Sequence, residues 1–366
     1  MVRKLTATER LRRVLEGKEA DRPLYSAWGH FMNYTDRNAK DFAKATIDFQ
    51  LAHGFDFIKV MSNPFYLLED MGIVLLPVKS YASCVSRSPS ILTVPKPAGW
   101  EKVKFPDVRK GAVAREIEAV RRIADYFQGE VPVLPSIFTP VMWIAYASIP
   151  SGQMDACQAE YGSYVPLLER YLIKNERYVR IAVQRFAEFN QEFINELLKA
   201  GASGVFYCTD VARDLWTSRD IFEEFERKPD IQTLHSAEEK TLFSLLHVCG
   251  EDRLLFDELL EYPVNAFNWD DQMPFTPSFS EIRAKTDKML VGGLNRKTDF
   301  TGNDREKIKK ILIKKIGEAF RQGGPKVMIS GGCAWDFDSA YKFYIWKEVM
   351  EEYQDLFAPP GDRKIE

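Results

Sequence analysis

Cysteine and histidine are both scarce in this chain. Its five cysteines, Cys84, Cys157, Cys208, Cys249 and Cys333, are odd in number and widely spaced over 366 residues, which excludes a disulfide framework. Such usage implies a reducing compartment, where thiols are free to serve as thiolate ligands. There are only four histidines, His30, His53, His235 and His247, so few imidazoles compete for any role. No uncharged apolar run approaches the length of a membrane span, and the first six residues lead into a polar helix pattern without an apolar signal core. A cytoplasmic protein with no membrane partner is expected. Neither sign of charge is in excess: 50 Lys and Arg face 53 Asp and Glu, for a net charge of -3. Nucleic acid therefore has no electrostatic footing. Glycine-rich phosphate loops, P-loops and serine elbows are missing too.

The composition, 45% hydrophobic and 28% charged, is that of a soluble globular protein. The length is within the range that an α/β barrel covers as one domain, here residues 1–366. Short apolar runs at 24–31, 55–61, 131–138, 204–209, 241–249, 266–270, 289–295 and 327–333 read as strands. Helical patterns lie around and between them at 8–17, 41–53, 113–127, 156–200, 215–240, 253–262, 280–285, 304–322 and 339–353. Residues 63–112, rich in Pro, Ser and Lys, show no clear period and read as an excursion after strand two. Eight strands, each followed by helix, predict a single (β/α)8 TIM barrel of the α/β class.

Barrel sites lie at the C-terminal ends of the strands. That rule gathers His30, Asn63, Tyr146, Thr209, Asp210, His247, Cys249, Asp270, Asn295 and Cys333 around one mouth. His247 and Cys249, two positions apart on a strand, point the same way. Alone, the pair fits a metal site and a buried thiol beside a core histidine equally well. With Cys333 at the end of strand eight, one nitrogen and two sulfurs suit zinc, and three protein ligands leave a fourth position open for catalysis. His30 divides between substrate contact and core histidine; Asp210 between orienting a ligand and pairing with Arg213. His53 reads as a helix C-cap, His235 as a solvated helix position, and Cys84 and Cys157 as bystanders. The aromatic strand ends, Trp28, Trp143, Tyr146, Trp269 and Trp335 among them, line a pocket or pack beneath the excursion.

The chain resembles the uroporphyrinogen decarboxylase superfamily over nearly its whole length. Glu9-Arg10-Leu11 through Asp21-Arg22-Pro23 looks like the family's opening helix and turn, Phe138-Thr139-Pro140-Val141-Met142-Trp143 like its third-strand motif, and Leu246-His247-Val248-Cys249-Gly250 like the fifth-strand signature of its methyltransferase branch. That resemblance implies a zinc-dependent methyltransferase of the methylcobamide:thiol (coenzyme M) type. His247, Cys249 and Cys333 would then be the metal-binding and catalytic residues, with His30, Asn63, Tyr146 and Asp210 contacting substrate. The corrinoid would be a substrate or arrive on a partner protein, because no histidine here has an Asp-x-His-x-x-Gly context. A homodimer is compatible with this reading. The family's decarboxylase branch fits less well: Asn63 stands where it has a catalytic aspartate, and only Arg37 is near its arginine-rich loop. After Cys333, Ala334-Trp335-Asp336-Phe337 replaces the proline-rich run of the methyltransferase branch. A decarboxylase (lyase) and a non-catalytic corrinoid- or tetrapyrrole-binding barrel are the alternatives.

Overall fold

A computed structural model describes residues 4–31, 34–72, 94, 96–148, 171, 174–214, 217–335 and 341–352. Nine short parallel strands run through the described residues: β1 (Leu24–Tyr25), β2 (Ile58–Lys59), β3 (Val133–Leu134), β4 (Ser136–Phe138), β5 (Phe206–Thr209), β6 (Leu245–Val248), β7 (Ala266–Trp269), β8 (Met289–Leu294) and β9 (Val327–Gly331). Seven of them form one sheet in the order β1-β9-β8-β7-β6-β5-β4, and β2 pairs with β3. This is the α/β TIM-barrel architecture expected from the strand and helix count.

The expected third strand is divided at Pro135. Proline has no N–H to give a ladder, and the chain changes partners around it: Val133–Leu134 pair with Ile58–Lys59, whereas Ser136–Phe138 pair with Phe206–Cys208. One segment thus links the pair to the large sheet. On the other side, the Asp56 N–H donates to the Tyr25 carbonyl and the Asp56 carboxylate accepts from the Tyr25 N–H, at 2.9 and 2.8 Å. Arg10 and Arg22 both bond that carboxylate, and Arg10 also grips Asp21. The Arg10, Asp21 and Arg22 of the opening motif therefore form, with Asp56, a partly buried ionic clasp between the first helix and the start of β2.

Helices pack outside the strands. The opening helix, Ala7–Leu15, starts in a capping box between Thr6 and Glu9. Ala39–His53 ends at Gly54, which takes the left-handed conformation that stops a helix. Pro140–Ser148, a helix the periodicity does not reveal, is buried along almost its whole length, so it carries no polar stripe to read. The expected 215–240 helix is broken into Arg219–Phe222, a π-turn over Glu223–Arg227 and Lys228–His235. Within the expected excursion, Tyr66–Asp70 and Pro97–Glu101 are helical, while residues 73–93 lie outside the described ones. No described helix is long and apolar enough to cross a membrane.

Candidate metal centre

Inside the barrel the strand period of two decides which residues meet. On β5 and just beyond it, Phe206, Cys208 and Asp210 face the interior cavity, while Tyr207 and Thr209 turn outward to bond Asp230 and Glu226. On β6 and just beyond it, His247 and Cys249 face the same cavity. Two residues past the end of β9, Cys333 comes to meet them. The two sulfurs are 3.8 Å apart, and the donor atoms of His247, Cys249 and Cys333 all lie within 4.8 Å of one another.

The backbone beside these residues is tightly constrained. Gly250 has φ 140, a conformation that side chains rarely adopt. Gly332 lies so close to the β7 end that a Cβ there would sit 2.1 Å from Asp270 Cα. The close approach brings Cys333 over the mouth.

A second layer orients the imidazole. His247 Nδ1 is 2.6 Å from Asn268 Oδ1, and Asn268 Nδ2 donates to the Val291 carbonyl at 2.8 Å and the Gly331 carbonyl at 3.1 Å. The parallel register that pairs His247 with Asn268 puts the two side chains side by side.

The thiols share charge unequally. Cys333 is held well below the usual thiol range, chiefly by the hydrogen bond with Cys249 and with help from His247 and Arg296, against its burial. Cys249 is pushed up by the same hydrogen bond and by burial. Asp210 is raised to about 6, mainly by burial. Its expected partner Arg213 makes a bidentate ion pair with Asp252 at 2.7 and 2.9 Å.

The cavity has a volume of about 20 Å³, room for one water-sized guest. Of the sequence-derived candidates, His30, Tyr146, Asp210, His247, Cys249 and Cys333 all line it. His30 Nδ1 donates to the Ser62 carbonyl at 2.7 Å. Asn63 does not line it: its side-chain oxygen accepts from the Phe65 N–H and caps a turn, while its neighbour Pro64 reaches the wall. Thr209 faces Glu226, Asp270 lies 3.4 Å from Arg296, and Asn295 caps its own turn through Lys297. Trp28 and Tyr146 are wall residues, whereas Trp269 and Trp335 pack outward against Phe256 and Phe300. His53 ends its helix, and exposed His235 bonds Glu238 at 2.8 Å. Cys84, Cys157, Asp336 and Phe337 lie outside the described residues.

Two residues of this centre escaped the sequence reading. Asn268 is one. The other, Lys59, is buried on β2 with its ammonium 3.4 Å from His30 Nε2 and 5.2 Å from the centre of the Phe206 ring. No carboxylate pairs with Lys59 among the described residues. Burial lowers its pKa to about 8, and burial, with the Lys59 charge, takes His30 down to about 3. The signal for both was a lone polar residue inside an apolar strand, in Phe57-Ile58-Lys59-Val60 and Phe267-Asn268-Trp269.

The profile of the uroporphyrinogen decarboxylase (URO-D) family matches residues 6–338. The chain belongs to this family. No curated protein matches it in sequence. Among solved structures, this URO-D family chain superposes on a methyltransferase from Methanosarcina mazei with a TM-score of 0.69 at 17% identity, covering 96% of this chain and 99% of that one. A B12-independent methionine synthase from Shewanella sp. W3-18-1 gives a TM-score of 0.57 at 13% identity, with 92% and 99% covered. A putative vitamin-B12 independent methionine synthase from Listeria monocytogenes gives 0.54 at 14%, with 93% and 100% covered. At such identities these likenesses establish a shared fold.

The donor set fits zinc. Two Zn–S bonds of about 2.3 Å at the tetrahedral angle put the sulfurs about 3.8 Å apart, and Cys249 and Cys333 stand at 3.8 Å. The His247–Asn268 hydrogen bond matches the outer-shell partner that ligand histidines have in metal sites.

Proposed function

We propose that this URO-D family protein is a zinc-dependent methyltransferase that moves a methyl group between a corrinoid and a thiol or related acceptor. The observation that carries the reading is the convergence of His247, Cys249 and Cys333 on one side of a cavity whose other walls are mostly apolar and aromatic, with Lys59, His30 and Asp210 among them. The structural neighbours, a methyltransferase and a B12-independent methionine synthase, support the methyl-transfer part of this reading.

His247, Cys249 and Cys333 would hold the ion and leave its fourth side to the cavity. Bound zinc supplies a Lewis acid that lowers the pKa of a thiol and so provides a nucleophile at neutral pH. The chain's own residues shape the guest's surroundings. Trp28, Phe138, Tyr146 and Phe206 exclude water from the reacting sulfur, which strengthens every charge interaction inside. Lys59 offers an ammonium, with no carboxylate partner among the described residues, to the negative charge that a thiol gains when it loses its proton, and His30 holds that ammonium in place. The corrinoid has to reach the mouth from outside, free or on a partner protein.

A porphyrinogen decarboxylase is less well supported. Asn63 stands where that branch has its aspartate and is turned into a cap, and among the described residues Lys59 is the one Lys or Arg in the cavity wall, too little to grip a polycarboxylate. Incubating the zinc-loaded protein with methylcobalamin and a panel of thiols tests the proposal: loss of the methyl–cobalt absorption with formation of a thioether supports it. Conversion of uroporphyrinogen with no methyl transfer would overturn it.

A further inference from the structure

We infer that Asn268 is the residue that makes His247 a metal ligand, by forcing the imidazole into the tautomer whose bare nitrogen is Nε2. The inference rests on the zinc reading above and concerns a residue outside the three ligands.

The argument starts from the amide. Asn268 Nδ2 lies 2.8 Å from the Val291 carbonyl and 3.1 Å from the Gly331 carbonyl. Carbonyl oxygens only accept, so the amide cannot be flipped without setting oxygen against oxygen twice. Oδ1 must then be the atom 2.6 Å from His247 Nδ1. An amide oxygen also only accepts, so Nδ1 must carry the proton. In a neutral ring that leaves the lone pair on Nε2, the nitrogen available to a metal.

Asn268 also spans the two ligand strands. Its oxygen holds β6 through His247, and its nitrogen holds the backbone of Gly331, two residues before Cys333 on the chain leaving β9. The side chain is completely buried, and all of its polar atoms are used in these three bonds. Leu or Ala here would leave His247 free to take the Nε2–H form, which has no lone pair facing the sulfurs.

The test uses the full chain with 15N-labelled histidine. Four histidines give four imidazole spin systems, and two-bond 1H–15N correlations distinguish the tautomers. Wherever its ring is neutral, His247 of the metal-free wild-type protein is expected to show Nδ1 protonated and Nε2 bare. In Asn268→Leu the Nε2–H form should appear and zinc affinity, read by chelator competition, should fall about 10- to 100-fold. Asn268→Asp keeps an acceptor for Nδ1 but sets its second oxygen against the Val291 and Gly331 carbonyls, so it should keep the tautomer while losing stability, a separation that a purely structural role would not give. A neutral His247 with its proton on Nε2 in the wild type, or wild-type zinc affinity in Asn268→Leu, would overturn the inference. If neither variant folds, the wild-type spectrum alone decides it. A wild type that binds no zinc would sink the proposed function while leaving the tautomer readable.

Discussion

The sulfurs of Cys249 and Cys333 lie 3.8 Å apart although 84 positions separate them in sequence. Such a separation is close to a tetrahedral zinc edge, and much depends on it being held. The fold holds it by bringing Gly332 against Asp270 without room for a side chain.

Gly332→Ala should therefore damage the centre before the barrel. The added methyl would meet backbone at 2.1 Å, so the β9 end must move away from β7. A stability loss of about 1–3 kcal/mol is expected, with a larger proportional loss of zinc affinity. Thermal unfolding of the metal-free protein, set beside chelator competition, separates the two.

Lys59→Met should make the protein more stable and less active. An ammonium buried without a carboxylate partner costs folding energy, and Met fills a similar volume without charge. The lowered pKa, about 8, sets the window. Below pH 8 both the native and the unfolded chain carry the proton, and the penalty is complete. Between 8 and the usual value the native state has lost its proton while the unfolded chain keeps it, so wild-type stability rises. The gain from Lys59→Met, on the order of 1–3 kcal/mol, should be present at pH 7 and fade toward pH 10, while methyl transfer falls at least about tenfold. A variant that loses stability at pH 7 would contradict this.

Glu116 titrates the other way. Burial lifts its carboxyl to about 8, against the hydrogen bond from Ser62 and the nearby Arg115 charge. Between its ordinary value and 8 the native state holds a proton that the unfolded chain has released, so wild-type stability falls as pH rises through that range. Glu116→Gln, neutral at every pH, should flatten this slope and raise the unfolding temperature near pH 8. Denaturation midpoints from pH 5 to 8.5 check it, and an unchanged slope would count against it.

The sequence was informative where chemistry and period coincided. His247 and Cys249 stood out because an imidazole and a thiol two apart on an apolar strand share a face, and Cys333 because it ends the last strand. Asn268 and Lys59 carried only a faint signal for the opposite reason. Each is a single polar residue among apolar neighbours, and only the parallel register that sets Asn268 beside His247, or the fold that turns Lys59 toward His30, gives it a role. The division of the third strand at Pro135 depends on two partner strands that no local pattern names. The helix Pro140–Ser148 is apolar on every side, so it lacks the stripe by which an amphipathic helix is recognised. Asn63, placed by its strand end, turned instead into a local cap, as short amides often do.

Metal content coupled to methyl transfer tests the central claim most directly. The protein, purified without chelator, should carry close to one zinc per chain and demethylate methylcobalamin in the presence of an acceptor thiol. Cys249→Ser and Cys333→Ser should each lower zinc affinity by on the order of 100-fold or more and abolish the transfer, with the fold retained. A folded wild-type protein that binds no zinc, or serine variants that transfer methyl groups at the wild-type rate, would contradict the account.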